Sequence, residues 1–94
     1  MKVYILREGT IRAVINKVLW TQKERLSSYE VIVIDRLEES GIKRYSLDKL
    51  KRLESDSLVL DKEGREVRIP LHRVIALMKN GEVVWQRRKS AYRK

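Results

Sequence analysis

Asn80-Gly81, set between HRVIALMK and EVVWQRR, constrains this chain more than any other pair of residues. A two-residue type I′ turn needs φ > 0 at both central positions, which asparagine and glycine tolerate and most residues do not. The pair therefore predicts a hairpin whose register can be counted outwards. Lys79 falls opposite Glu82, Met78 opposite Val83, Leu77 opposite Val84, Ala76 opposite Trp85, Ile75 opposite Gln86, Val74 opposite Arg87 and Arg73 opposite Arg88. A salt pair at the turn and a small residue under a large one fit this register. Extended to its open end, the count sets His72, Trp85 and Arg87 on one face and Arg73 with Arg88 on the other. Like charges directly opposite destabilise a sheet, so Arg73 and Arg88 must splay apart or share an anion.

A second hairpin is expected in SLVLDKEGREVRI, where a four-residue loop over Lys62 to Arg65 sets Leu60 opposite Val67 and Leu58 opposite Ile69. Upstream, GTIRAVINKVLW places Ile11, Val14, Ile15, Val18 and Leu19 at the spacing of an amphipathic helix, with Thr10 as N-cap. At about 100° per residue, Trp20 lies opposite that stripe. It is either swung back over the core by the helix end or exposed, and the usual burial of tryptophan favours the core. TQKERLSS reads as loop. YEVIVIDR, apolar on both faces, reads as a central two-sided strand ending at Asp35 and Arg36. IKRY reads as a short strand and SLDKLKRLES as a short helix capped by Ser46 that buries Leu47, Leu50 and Leu53. KVYIL, near the start, reads as an edge strand. The expected fold is α+β: a mostly antiparallel sheet, able to curl towards a barrel, with an N-terminal amphipathic helix and a second short helix.

The length, 94 residues, holds one domain, expected over residues 1–89 with a basic tail at 90–94. There are 22 Lys+Arg against 13 Asp+Glu, a net charge of +9, which argues for a polyanionic partner. The surplus is uneven, since residues 86–94 carry Arg87, Arg88, Lys89, Arg93 and Lys94 and no acid. Such a tail reads either as a solvated terminus or as an anion-binding arm. With 0 cysteines the chain has no disulfide or thiolate chemistry and no sulfur-ligated zinc or cluster. No apolar run approaches the ~20 residues of a membrane span, so a cytoplasmic protein without a membrane partner is expected. Few Asn and Gln beside 37% charged residues resemble the usage of heat-adapted proteins.

RIPLHRV, residues 68–74, holds the only proline and the only histidine, and the histidine is followed by Arg73. A protonated imidazole donates from both nitrogens and a guanidinium fork matches phosphate oxygens, so His72 and Arg73 at a sheet end form a candidate phosphate site. The alternative is a satisfied core histidine, with Pro70 marking the start of a strand. Metal-free acid–base cleavage of a phosphodiester usually needs two proton-transfer groups, and the chain offers one histidine and no cysteine. Its acids are spread through helices, loops and hairpin turns, unlike the clustered ligands of a metal site. Neither an enzyme, a cofactor nor a metal is expected.

IRAVINKVLW, YEVIVIDR and IPLHRVIALMKNGEVVWQR, in that order, resemble the mainly archaeal RNA cyclic group end recognition domain family. Its members are similar to I-R-x-V-L-N-x-x-x-W, Y-E-x-x-Y-I-x-R, then I-P-Y-H-R-I and a G-x-x-x-W-x-R ending. The match covers Arg12, Asn16, Trp20, Tyr29, Arg36, Pro70, His72, Arg73, Gly81, Trp85 and Arg87. Val33, Asp35 and Leu71 depart from it where tyrosine, histidine and tyrosine are often found. The resemblance implies a small RNA-binding module for phosphorylated or cyclic-phosphate ends of single-stranded RNA. Arg36, His72, Arg73, Arg87 and Arg88 are then expected on phosphate, with Trp20, Arg12 and Asn16 as further contacts. Competing readings are an enzyme processing such ends, or a basic subunit that docks in an RNA-containing complex.

Overall fold

The computed structural model describes residues 10–87. KVYIL, expected as an edge strand, Arg88 and the 90–94 tail lie outside the described residues. Helix α1 spans Ile11–Thr21. Its start is fixed by Thr10, whose side-chain oxygen accepts from the Ala13 amide at 3.1 Å, satisfying one of the helix's orphan N–H groups. Ile11, Val14, Ile15 and Val18 are buried, as the spacing requires. Each such burial is worth about 1.5–3 kcal/mol in transfer energy. The helix closes on a Gln22 amide to Val18 carbonyl bond of 2.7 Å. A 3₁₀ segment, Lys23–Ser28, follows where a loop is expected.

Strands β1 (Tyr29–Ile34), β2 (Ile42–Ser46), β6 (Val74–Lys79) and β7 (Glu82–Gln86) form one antiparallel sheet in the order β2-β1-β6-β7. Strand β1 is central, and its two-sided apolar pattern is used on both faces. Tyr29, Val31 and Val33 join the main core, while Ile32 is buried on the opposite side. Strands β3 (Leu50–Leu53), β4 (Ser57–Lys62) and β5 (Arg65–Pro70) form a second sheet in that order. Leu58, Leu60 and Ile69 from this sheet meet Val31, Val33, Leu77 and the apolar stripe of α1 in one cluster. The chain is thus α+β and mostly sheet, but as two open sheets about a shared core instead of one curled sheet.

The expected second helix is absent from SLDKLKRLES. Leu47–Lys49 makes a single 3₁₀ turn that buries Leu47, and Leu50–Leu53 continues as β3. A spacing of three residues fits a helix turn, but it also fits a strand with one extra residue. Leu50 pairs with Leu60 and Leu53 with Leu58 across a register shift at Lys51 and Arg52, so both leucines face the core. Pairing with the buried Ser57–Leu60 stretch of β4 outweighs a weak local helix preference.

The hairpins show how bulges alter a counted register. In β4–β5 the expected pairs Leu58 with Ile69 and Leu60 with Val67 are present, but Lys62 also pairs with Arg65. The loop is therefore two residues, Glu63 at φ 54 and Gly64 at φ 86, tighter than the four-residue loop expected. In β6–β7, Asn80 at φ 50 and Gly81 at φ 84 make the predicted turn. Lys79–Glu82 and Met78–Val83 pair as counted, after which Leu77 faces Trp85 and Ala76 faces Gln86. The one-residue shift lets Val84 and Trp85, neighbours in sequence, both enter the core at 8% and 4% exposure. Strict alternation would have sent one of them to solvent.

Candidate functional site

RIPLHRV is not a continuous strand. Pro70 is the last residue of β5, and Leu71–Arg73 forms a 3₁₀ turn before Val74 opens β6. Leu71 is turned inward and its amide donates to the Asp56 carbonyl at 2.9 Å. Val74 is fully buried, whereas His72 and Arg73 between them are exposed. The core-histidine reading therefore fails: two apolar anchors hold a two-residue polar crest in water. The expected sharing of one face by His72, Trp85 and Arg87 fails too, because His72 sits on a turn and β7 is bulged.

Arg87 has a different place from the one the sequence implied. Its Nε donates to the Val74 carbonyl at 2.8 Å and its Nη2 to the Leu71 carbonyl at 2.9 Å. Its guanidinium carbon lies 5.3 Å from the centre of the Trp85 ring. Partial burial lowers its pKa from the ordinary guanidinium value. Arg87 thus braces both ends of the His72 turn with its fork, which commits those donors to backbone instead of RNA. Trp85 is buried beneath it and cannot serve as a stacking platform; its Nε1 has no hydrogen-bond partner among the described residues.

The register places Arg36 at the same end of the sheet as the turn. Val33 pairs with Val74, so the chain leaving β1 at Asp35 and Arg36 emerges beside the chain entering β6. Asp35 accepts the Leu37 amide at 2.9 Å, and the Asp35 amide donates to the Gly41 carbonyl at 2.9 Å. These bonds leave Arg36 exposed beside Leu37, which is 95% exposed. Arg36, His72 and Arg73 are thereby gathered at one sheet end, with Asp35, Glu38 and Glu39 in the same turn as a partial counterweight.

Arg12, Asn16 and Trp20 stand apart, exposed at four-residue intervals along α1. Arg12 Nε donates to the Glu54 carbonyl at 3.1 Å. Trp20 is 79% exposed, so the helical phase is correct and the core preference for tryptophan misleads. It borders a cleft of about 210 Å³ with Thr21, Gln22, Lys23, Glu24 and Arg25. Lys23 and Arg25 belong to the stretch that reads as loop, and two cations close after Trp20 are the sequence signal for them. Among the described residues no group of three or more His, Cys, Asp or Glu is placed to hold a metal ion.

Comparison with known proteins agrees with the resemblance in the motifs. The profile of the MJ1316 RNA cyclic group end recognition domain matches residues 6–87. A UPF0248 protein of Saccharolobus islandicus is 34% identical over 79 residues, covering 82% of this chain and 98% of its own. A UPF0248 protein of Metallosphaera sedula is 31% identical over 78 residues, covering 83% of this chain and 92% of its own. No solved structure matches this chain significantly. This chain belongs to the RNA cyclic group end recognition domain family.

Proposed function

We propose that this protein binds RNA ends and that the Leu71–Arg73 turn holds the terminal phosphate. The observation that carries the reading is the exposed His72–Arg73 pair on a turn fixed from both sides, by Leu71 and Val74 in the core and by the Arg87 fork on their carbonyls. A prearranged pair of donors costs little entropy to engage, which favours a compact anion. Arg36 adds a further donor at the same sheet end. A cyclic phosphate carries one negative charge and a 3′-monophosphate nearly two, so shape and donor placement, not charge alone, must separate them. The reading is binding without turnover, by a module that meets single-stranded RNA at its end.

His72→Ala and Arg73→Ala should each weaken binding to RNA ending in a cyclic phosphate or monophosphate more than binding to the same RNA ending in a hydroxyl. Arg65→Ala, at the far tip of the β4–β5 hairpin, is the control and should treat all ends alike. Equal affinity of the unmutated protein for all three ends would refute end recognition and leave general RNA binding.

A further inference from the structure

We propose that the exposed ridge of α1 is a second RNA contact surface, a track from the phosphate-binding turn to a base-stacking platform at Trp20. The proposal rests on the reading of the His72–Arg73 turn as the end site and adds where the rest of the strand goes.

The two ends of the ridge have different neighbours. At its start, Arg12 is bonded to the Glu54 carbonyl. The Glu54 amide in turn donates to the Ser57 carbonyl at 2.9 Å, and within that turn the Asp56 carbonyl receives the Leu71 amide. The helix therefore begins beside the same support that holds the His72 turn. Its other end leads through Lys23–Ser28 to Ser28, whose carbonyl accepts the Asn80 amide at 2.8 Å. Asn80 marks the opposite end of the β1–β6 pair, where Tyr29 faces Lys79. Eight residues of rise, from Arg12 to Trp20, span about 12 Å. At roughly 3.4 Å per stacked nucleotide, that is about three nucleotides.

The chemistry of the ridge fits a nucleic-acid strand. A tryptophan 79% exposed is unusual, because the ring is normally a core residue. Its π face accepts any base, so it needs no sequence preference. Asn16 offers both donors and an acceptor to base edges or ribose. Helix α1 carries Arg12 and Lys17 with no carboxylate, and the cleft beyond Trp20 adds Lys23 and Arg25 against the single acid Glu24. An acidic protein partner would match the cations but has less use for an open indole face flanked by an amide.

The buried position of Trp85 makes the test direct, because a quenched tryptophan signal then reports Trp20. The full chain is titrated with 3′-phosphorylated oligoadenylates of increasing length. A mononucleotide should bind without quenching, and quenching should set in at about three nucleotides. Trp20→Ala should lose about 5- to 150-fold affinity for a hexanucleotide and none for the mononucleotide, and Trp20→Tyr should recover most of the loss. Because Trp20 is exposed, the variant should melt like the parent. Unchanged hexanucleotide affinity in Trp20→Ala overturns the proposal, as does an equal loss on the mononucleotide. Inorganic polyphosphate that quenches as strongly as RNA would also overturn it, since a chain without bases cannot stack. If phosphate and hydroxyl ends bind the parent alike while Trp20→Ala still weakens both, the end site falls and the stacking surface stands.

Discussion

At the scale of single residues, the chain separates groups left exposed at the surface from groups that hold them in place, and sequence position alone does not tell which is which. Arg73 and Arg87 are both arginines near one sheet end, yet one is exposed and the other has its Nε and Nη2 on the Val74 and Leu71 carbonyls. Removing Arg87 strips both carbonyls of a charged donor, so Arg87→Ala should cost on the order of 2–3 kcal/mol in stability. It should also reduce the preference for phosphate ends, although the side chain need not reach RNA. Arg87→Lys should restore charge without restoring that preference, because a single ammonium lacks the planar fork. Measuring end preference beside chemical denaturation separates the two effects: a lysine variant with full preference would show that only charge matters. Trp85→Ala, by contrast, empties a core position and should cost about 3–5 kcal/mol. A loss under 1 kcal/mol in denaturant titration would contradict its assigned place under Arg87.

At the scale of elements, the outer face of the β3-β4-β5 sheet carries its own stabilising device. Val59 is fully buried there although its cross-strand partners are Arg52 and Arg68. Arg52 bonds Glu66 through Nη1 and Nη2 at 3.1 and 3.2 Å and Glu54 through Nε at 3.0 Å. Arg68 meets both oxygens of Glu54 at 3.1 and 3.0 Å, and Lys51 joins Glu66 at 3.4 Å. Cross-strand pairing sets both arginines beside the valine while their heads pair with carboxylates in water. Hydrogen bonds from Arg68 and then Arg52 hold the Glu54 carboxyl below its ordinary 4.5, and Arg52 does the same for Glu66. A depressed carboxylate pKa contributes stability that is present above the unfolded value and lost as pH falls through the folded one. Melting temperature should therefore drop more steeply below pH 4.5 in the parent than in a Glu54→Gln/Glu66→Gln variant. The effect is modest because the network is exposed and screened. Parallel melting curves from pH 7 to pH 3 would show that it contributes nothing.

The same sheet shows how far the elements were legible in the sequence. Regular periodicity was reliable: α1, its Thr10 cap, the central β1 and both hairpins follow from spacing and turn chemistry. What escaped were the irregular residues. One extra residue in β3 made a strand resemble a helix, one in β7 moved Trp85 from Ala76 to Leu77, and a 3₁₀ turn broke RIPLHRV in two. Bulges and short turns are chosen by the need to bury particular side chains across the fold, a need that no local window contains. The candidate site followed the same division. His72, Arg73 and Arg36 are at the sheet end where the motifs led, whereas the role of Arg87 depended on a fork spanning 16 residues of chain.

At the scale of the whole molecule, positive charge and end recognition should be separable functions. The proposed end site and the α1 ridge belong to residues 10–87, while Arg93 and Lys94 lie beyond them in a tail with no acid. A cation that neutralises a phosphate releases a counterion, and on single strands each contact adds about 0.7 to the slope of log affinity against log salt. If both terminal cations meet the RNA backbone, deleting Ser90 to Lys94 should flatten that slope by about 1.4. The ratio of affinities for phosphate and hydroxyl ends should stay as it was, because the deletion leaves His72, Arg73 and Arg36 in place. His72→Ala should behave in the opposite way, lowering the ratio with little change on hydroxyl-ended RNA. A single set of salt titrations on parent, truncated and His72→Ala proteins, each with both RNA ends, reads out both quantities. An unchanged slope after truncation would mark the tail as a bystander, and a ratio that falls with the tail would place end recognition on charge instead of on the turn.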